Sequence, residues 1–309
     1  MGEGRSQREG HASQASHALP ASHASPRPRV QFGNYHTHTR HCDGTGHPHE
    51  FADAAIRKGM PRLGFSGHNV VPFPADWTMP AENLDSYLRE VREVKQHYRG
   101  RVEVFLGIEA DYLPGISSPV APRIKDLGLD FVIGSVHFVT ATNGAYTWTV
   151  DGSLAELRTG LRDIFGGDVR GLVECYYERV SEMAETATPD IVGHFDIVKK
   201  NNRRDAFFSE EEEWYRAAVM GALRSIARSG AVMEINTGGV TRNTSGALHP
   251  SEWILREALP LGIPVMINAD AHKPEHLDGH FVEVAELLRR IGFRSQRQLT
   301  GAGWVDEAL

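Results

Sequence analysis

The chain has 309 residues, of which 40% are apolar and 24% charged, and a formal net charge of -7; this is the composition of an ordinary globular protein with ample material for a core. The negative balance disfavours a polyanionic nucleic acid as partner. No apolar stretch reaches bilayer-spanning length and the N-terminus has no secretory apolar run, so neither a membrane nor export is expected. Two cysteines, Cys42 and Cys175, are too few for a disulfide scaffold and point to the cytoplasm.

Residues 1–29 are built from Gly, Ser, Ala, His, Pro and Arg, with His11, His17 and His23 in a six-residue echo. Side chains this small and polar cannot offset the entropy of ordering, so a disordered extension is expected here, followed by a single domain over 30–309. The tail's imidazoles lack the cysteine or carboxylate neighbours that would complete a metal site.

From Val30 onward, short apolar runs end near His36, Gly67, Glu109, His137, His194, Asn236 and Asp270, which predicts seven strands. Helical periodicity falls between them, over 48–58, 80–98, 154–165, 209–228 and 277–290. This alternation is the α/β signature, and no alternating pattern predicts a further sheet. An open doubly wound sheet would concentrate its ligands at one crevice. Here a polar residue closes nearly every strand, which makes one site only if the strand ends form a ring. A distorted seven-stranded (β/α)7 barrel is therefore expected.

The strand ends carry donors suited to divalent metals. His36 and His38 are two apart in a strand and so face the same way, with Asp43 close behind in a Gly-rich turn. His68, Glu109, His137 and His194 each follow an apolar run, and Asp270 with His272 repeats the two-residue spacing. Any one of these could be a packed histidine or a capping carboxylate. The series is what points to metal.

This order of residues resembles the PHP (polymerase and histidinol phosphatase) family, most closely its histidinol-phosphatase branch, over residues 30–292. The resemblance implies one metal on His36, His38, Glu109 and Asp270, a second on Glu109, His137 and His194, and a third on Asp43, His68 and His272. Glu109 would bridge the first two. The cofactors implied are two or three divalent ions, and nitrogen and carboxylate donors admit zinc, manganese or iron. The reaction implied is hydrolysis of a small phosphate ester, L-histidinol phosphate, to L-histidinol and inorganic phosphate in histidine biosynthesis, with Glu109, Asp270 and His272 at the catalytic centre. Paired cations can hold a hydroxide, neutralise phosphoryl oxygens and stabilise the leaving alkoxide. Lys199, shortly after His194, and Arg242, after the run 231–236, are the candidates for gripping phosphate. The alternatives are a phosphoesterase for another small monoester or a nucleotide, and a noncatalytic metal-binding domain. The complete donor set and the absence of an attached polymerase weigh against the latter. No sequence feature sets an oligomeric state.

Overall fold

The computed structural model describes residues 1–2, 31–140 and 147–309, so the predicted N-terminal extension lies outside the described residues but for its first two. The folded unit spans Gln31–Leu309. In chain order it runs β1 (Gly33–Asn34), α1 (Pro48–Lys58), β2 (Arg62–Phe65), α2 (Leu84–His97), β3 (Glu103–Asp111), α3 (Pro122–Lys125), β4 (Phe131–Ser135), β5 (Phe138–Thr140) and β6 (Thr147–Thr149). It continues α4 (Leu154–Phe165), α5 (Val169–Thr186), β7 (Ile191–Val192), α6 (Glu213–Ser229), β8 (Val232–Asn236), α7 (Gly238–Thr241), α8 (Glu252–Ala258), β9 (Val265–Asn268), α9 (Phe281–Ile291), β10 (Ser295–Thr300) and β11 (Gly303–Ala308).

Seven strands form one sheet in the order β1-β2-β3-β4-β7-β8-β9, every neighbouring pair parallel. The two end strands meet as well. Tyr35 N–H donates to Asn268 Oδ1 at 2.8 Å, Ala269 N–H to Asn34 Oδ1 at 2.8 Å, and Thr37 bridges Ala271 in parallel. Side-chain amides at the seam replace part of a backbone ladder, and the result is the nearly closed seven-stranded barrel that the sequence predicts.

Each long inward-facing row starts apolar and ends in donors, because residues two apart share a face. On β3 the row is Phe105, Gly107, Glu109, Asp111. On β4 it is Phe131, Ile133, Ser135 and then His137, and on β8 it is Val232, Glu234, Asn236. The apolar starts join Tyr35, Ile191, Met266 and Leu299 in one cluster that fills the lower barrel. A separate, larger cluster packs the outer strand faces against the helices. The Phe131 ring occupies the barrel axis only because Gly64 and Gly107 leave room; a Cβ on Gly107 would lie 2.4 Å from it.

Helices α1 and α4 match their predicted limits, whereas α9 starts at Phe281 because His280 before it has a left-handed φ of 62°. Helix α5 was not among the sequence expectations, although Leu172, Val173, Tyr176, Tyr177, Val180 and Met183 bury a helical stripe behind an Asp168 N-cap. The expectation of no further sheet is corrected by two antiparallel hairpins, β5–β6 and β10–β11. In β10 the buried residues are Gln296, Gln298 and Leu299, so the strand shows no apolar alternation in sequence. Gln298 Oε1 accepts from Gly33 N–H at 3.1 Å and from Arg62 at 3.2 Å, and Tyr35 OH donates to Leu299 O at 2.6 Å. The hairpin thereby closes the end of the barrel opposite the metal-donor strand ends. No helix among the described residues is long and apolar enough to cross a membrane.

Gly107→Ala is expected to destabilise the fold by about 1–3 kcal/mol, because the Phe131 ring has no free rotamer space inside the barrel. Urea unfolding of the variant checks this, and an unchanged midpoint would show that the interior yields where the geometry says it cannot.

Candidate metal centre

All nine donors predicted from the sequence converge at the C-terminal mouth of the barrel. They fall into four overlapping sets whose ligand atoms lie within 4.8 Å of one another: His38, Asp43, His68 and His272; His36, Glu109 and His194; His36, His38 and Asp270; His68, Glu109 and His137. Glu109, 1% exposed, lies at the centre. Its Oε2 faces His68 Nδ1 at 3.0 Å, His36 Nε2 at 3.2 Å and His38 Nε2 at 3.5 Å. Its Oε1 faces His194 Nε2 at 2.9 Å and His137 Nε2 at 3.5 Å, and accepts the Ser135 hydroxyl at 2.6 Å. One carboxylate thus addresses two groups of imidazoles, one with each oxygen.

Asp270 closes the first group, with Oδ1 3.2 Å from His38 Nε2. It holds a left-handed φ of 48°, a conformation that costs a non-glycine residue about 1–3 kcal/mol and concentrates at functional sites. Asp43 returns from a tight turn to place Oδ2 2.9 Å from His272 Nε2 and Oδ1 3.5 Å from His38 Nδ1. Gly44 is required for that turn, since a Cβ there would sit 2.5 Å from the His38 backbone.

Buried polar atoms ordinarily find hydrogen-bond partners. Here His36 Nε2, His38 Nε2, Asp43 Oδ1, His68 Nδ1 and Glu109 Oε2 are buried and lack one, and all five converge on the same space. Imidazole lone pairs and carboxylate oxygens left unpaired together are the donor chemistry of a divalent cation, so the residues fit the metal. The electrostatics agree. Burial opposes charge on Glu109 and Asp270, yet His36, His68 and His137 hold Glu109 well below the ordinary carboxylate range, and Arg242 with His36 does the same for Asp270. Burial lowers the imidazoles, but Asp111 and Glu109 bring His137 up to about 10, and Glu234 with Glu109 and Asp270 raises His36, so these two rings carry protons that a metal ion would displace. Burial beside His68 and His272 presses His38 down to about 3, leaving its ring neutral with a lone pair to give.

Two carboxylates missed by sequence reasoning stand behind this ring. Glu234, fully buried, accepts from His36 Nδ1 at 2.6 Å, from His194 N–H at 2.7 Å and from Asn236 and Asn268 at 3.0 and 3.1 Å. Asp111 Oδ1 meets His137 Nδ1 at 2.8 Å. Each fixes a ring so that its other nitrogen faces Glu109. The signal was present: Asp111 lies two beyond Glu109 on one strand face, and Glu234 is a lone charge inside an otherwise apolar run.

The two phosphate candidates differ. Arg242 lines the mouth, its Nη2 donating to Asp270 Oδ2 at 2.8 Å and Nη1 resting against the His272 ring, while its buried Nε lacks a partner. Lys199 does not line the mouth. Its Nζ is bound to Asp196 at 2.8 Å and to Glu210 and Ser251, whereas Lys200 reaches the cavity. The cavity over the donors has a volume of 520 Å³, and Trp77, Thr149, Asp151 and Glu156 also line it.

The PHP domain model matches residues 34–238. A Deinococcus radiodurans protein named "Probable histidinol-phosphatase" is 32% identical, over 84% of this chain and 94% of its own length. The chain belongs to the PHP domain family. The Bacillus subtilis histidinol-phosphatase is 27% identical over 77% of this chain and 92% of its own length. Two crystal structures share the fold of this PHP domain. One, from Listeria monocytogenes, has a TM-score of 0.69 at 20% identity, covering 81% of this chain and 99% of that one. The other is a histidinol phosphate phosphatase of Lactococcus lactis complexed with zinc, L-histidinol and phosphate, with a TM-score of 0.63 at 17% identity, covering 89% and 99%.

Glu234→Gln is expected to weaken metal binding by about 10- to 100-fold with the fold intact. An amide can donate to His36 Nδ1 and so drive the ring proton onto Nε2, removing the lone pair that faces Glu109. Metal titration beside thermal unfolding checks this; wild-type affinity in the variant would show that Glu234 does not set the His36 tautomer.

Proposed function

We propose that the chain hydrolyses L-histidinol phosphate to L-histidinol and inorganic phosphate, as the late dephosphorylation step of histidine biosynthesis. The observation that carries this is Glu109 set between two imidazole groups, in a PHP domain whose curated relatives are named as histidinol-phosphatases over most of their length. His36, His38, Glu109 and Asp270 would hold one ion, Glu109, His137 and His194 a second, and Asp43, His68 and His272 a third. Bound there, divalent ions activate water at neutral pH and neutralise phosphoryl charge.

The chain's own residues do the rest. Glu109 keeps the two imidazole groups at a fixed separation, because its buried carboxylate is anchored by the Ser135 hydroxyl. Asp270 divides its oxygens, Oδ1 toward His38 and Oδ2 toward Arg242. Arg242 is thereby held with its planar fork at the cavity wall, where its donors can receive two phosphoryl oxygens and favour the charge that grows on them. His272 would serve as a ligand beside Asp43 rather than as a free general acid, its Nε2 turned to Asp43 Oδ2 at 2.9 Å among the donors and its Nδ1 lying against Arg242 and the Asp270 carbonyl. A cytoplasmic location belongs to the same proposal and rests on the two-cysteine composition and a biosynthetic reaction.

The experiment is a phosphate-ester panel with the metal-loaded protein, in which L-histidinol phosphate should be the strongly preferred substrate. Preference for a nucleotide or another monoester would replace the substrate and keep the reaction class. In the same assay Asp270→Asn should lower turnover by roughly 100-fold or more while thermal unfolding stays near wild type, because the charge that orients the ion and Arg242 is lost at constant size. Equal rates at equal metal content would remove Asp270 from the reacting centre.

A further inference from the structure

Asp43 alone among the nine donors hangs from a turn rather than from a strand or its end. Residues 39–46 close on themselves through the Cys42 and Gly44 N–H groups, which donate to Thr39 O at 3.0 and 3.1 Å, and Thr45 N–H ties one side of the turn to His272 O at 3.0 Å. The other side rests on α2, where one carboxylate gathers it. Glu90 Oε2 meets His41 Nε2 at 2.7 Å and accepts from Arg40 Nη2 at 2.9 Å, while Oε1 faces His47 Nδ1 at 3.4 Å. His41, 4% exposed, is held further by Asn83 Nδ2, which donates to its carbonyl at 3.1 Å, and by Ser86 Oγ, 3.2 Å from its Nδ1. Burial opposes charge on Glu90, but His41 and Arg40 hold its carboxyl below the ordinary carboxylate range.

Glu90 is a fixed point because α2 is itself pinned to the barrel. Tyr87, three residues earlier and so on the same face, donates its OH to Gly107 O at 2.7 Å and takes the Gly67 N–H at 3.2 Å. Gly107 lies on the strand of Glu109 and Gly67 precedes His68, so the turn is referenced to the strands that carry these donors. Asp43 needs such a reference. It is the only carboxylate in the set with His68 and His272, its Oδ2 2.9 Å from His272 Nε2 and its Oδ1 3.8 Å from His68 Nε2, and Oδ1 is buried without a hydrogen-bond partner. A ligand that occupies its binding geometry only part of the time lowers the apparent affinity by that fraction. We propose that Glu90, outside the mouth, is a positioning residue that clamps the turn 39–46 to α2 and thereby sets the affinity of the ion on Asp43, His68 and His272, leaving the ions on Glu109 unaffected. The proposal rests on the three-ion reading above and adds to it a helix residue that touches no donor.

Glu90→Gln is the decisive variant, since it keeps the size of the side chain and removes the charge that gathers Arg40 and His41. The zinc-loaded full chain, Glu90→Gln, Asp43→Ala and the double variant are dialysed against graded chelator, and zinc per chain is read by elemental analysis beside thermal unfolding. Glu90→Gln is expected to weaken one ion by about 10- to 100-fold and the others by less than about twofold. In the Asp43→Ala background it should weaken no ion further, because the donor it positions is gone. Uniform weakening of every ion, as loss of a nearby charge or a general loosening would give, overturns the clamp, and so does unchanged release. Loss of one ion in Asp43→Ala with wild-type release in Glu90→Gln keeps the three-ion reading and removes the clamp; wild-type zinc content in Asp43→Ala removes both. Should Glu90→Gln not fold, Arg40→Ala decides, because its side chain is 47% exposed and leaves the core untouched. A loss of about threefold in the affinity of the same ion is expected, and no loss would refute the proposal.

Discussion

Glu109 carries a negative charge into a position 1% exposed, where an unpaired carboxylate would cost several kcal/mol. Five imidazoles surround it, three on one oxygen and two on the other, and these come from four different strand ends. That arrangement exists only if β1, β2, β4 and β7 are all in register with β3, because a slip of one residue would turn each histidine to the outer face. The barrel's register and the charge balance of its mouth are therefore one constraint. Burying Glu109 is tolerable only in the correctly paired sheet, and a bound cation strengthens the same pairing from the inside.

The lower barrel answers the opposite demand. Its end has to be filled and dry so that the donors above it are not reached by water from below, and the ring of Phe131 does most of this, seated over Gly64 and Gly107 with Tyr35, Phe105 and Met266 around it. The seam between β1 and β9 is the weak point, since few backbone hydrogen bonds join those strands. Asn34 and Asn268 span it with side-chain amides, and β10 lays Gln296 and Gln298 across its lower edge. Asn268 also donates to Glu234, which orients His36. Closure of the barrel and orientation of a candidate ligand thus share one side chain.

Much of this was legible because the donors sit where strand patterns end. The seven strands, the ring and the donors at the strand ends followed from apolar runs closed by His, Glu or Asp, since period-two alternation is a local property that survives without knowledge of partners, whereas Asp43, in a Gly-rich turn, followed from the family resemblance. The hairpin β10–β11 was not legible, because two of its buried residues are glutamines whose burial depends on the seam they cover. Glu234 and Asp111 were passed over for a related reason: the strand pattern marks each as a charge on an inward face, but the histidine it stands behind is 198 residues away in one case and 26 in the other. Lys199 and Lys200 show the limit of reading a helical turn. Adjacent lysines point in different directions there, one into a network around Asp196 and the other to the cavity wall.

The mouth is polarised, and the polarity sets how a substrate must lie. Five carboxylates stand at or directly behind the donors, Asp43, Glu109 and Asp270 at the mouth and Glu234 and Asp111 behind His36 and His137, with Arg242 as the positive charge beside them. Two divalent ions would balance that charge, and three would make the mouth positive. The wall formed by Asp151 and Glu156 against Lys200 is negative. With three ions bound, a phosphate dianion is drawn in only in one orientation, with its ester oxygen away from the ions, since the reverse would set the phosphate against the carboxylates. Low-dielectric surroundings from Trp77 and Phe138 strengthen both fields at once. Orientation of the ester is then decided by the charge distribution of the empty protein and its ions before any contact specific to the alcohol is made.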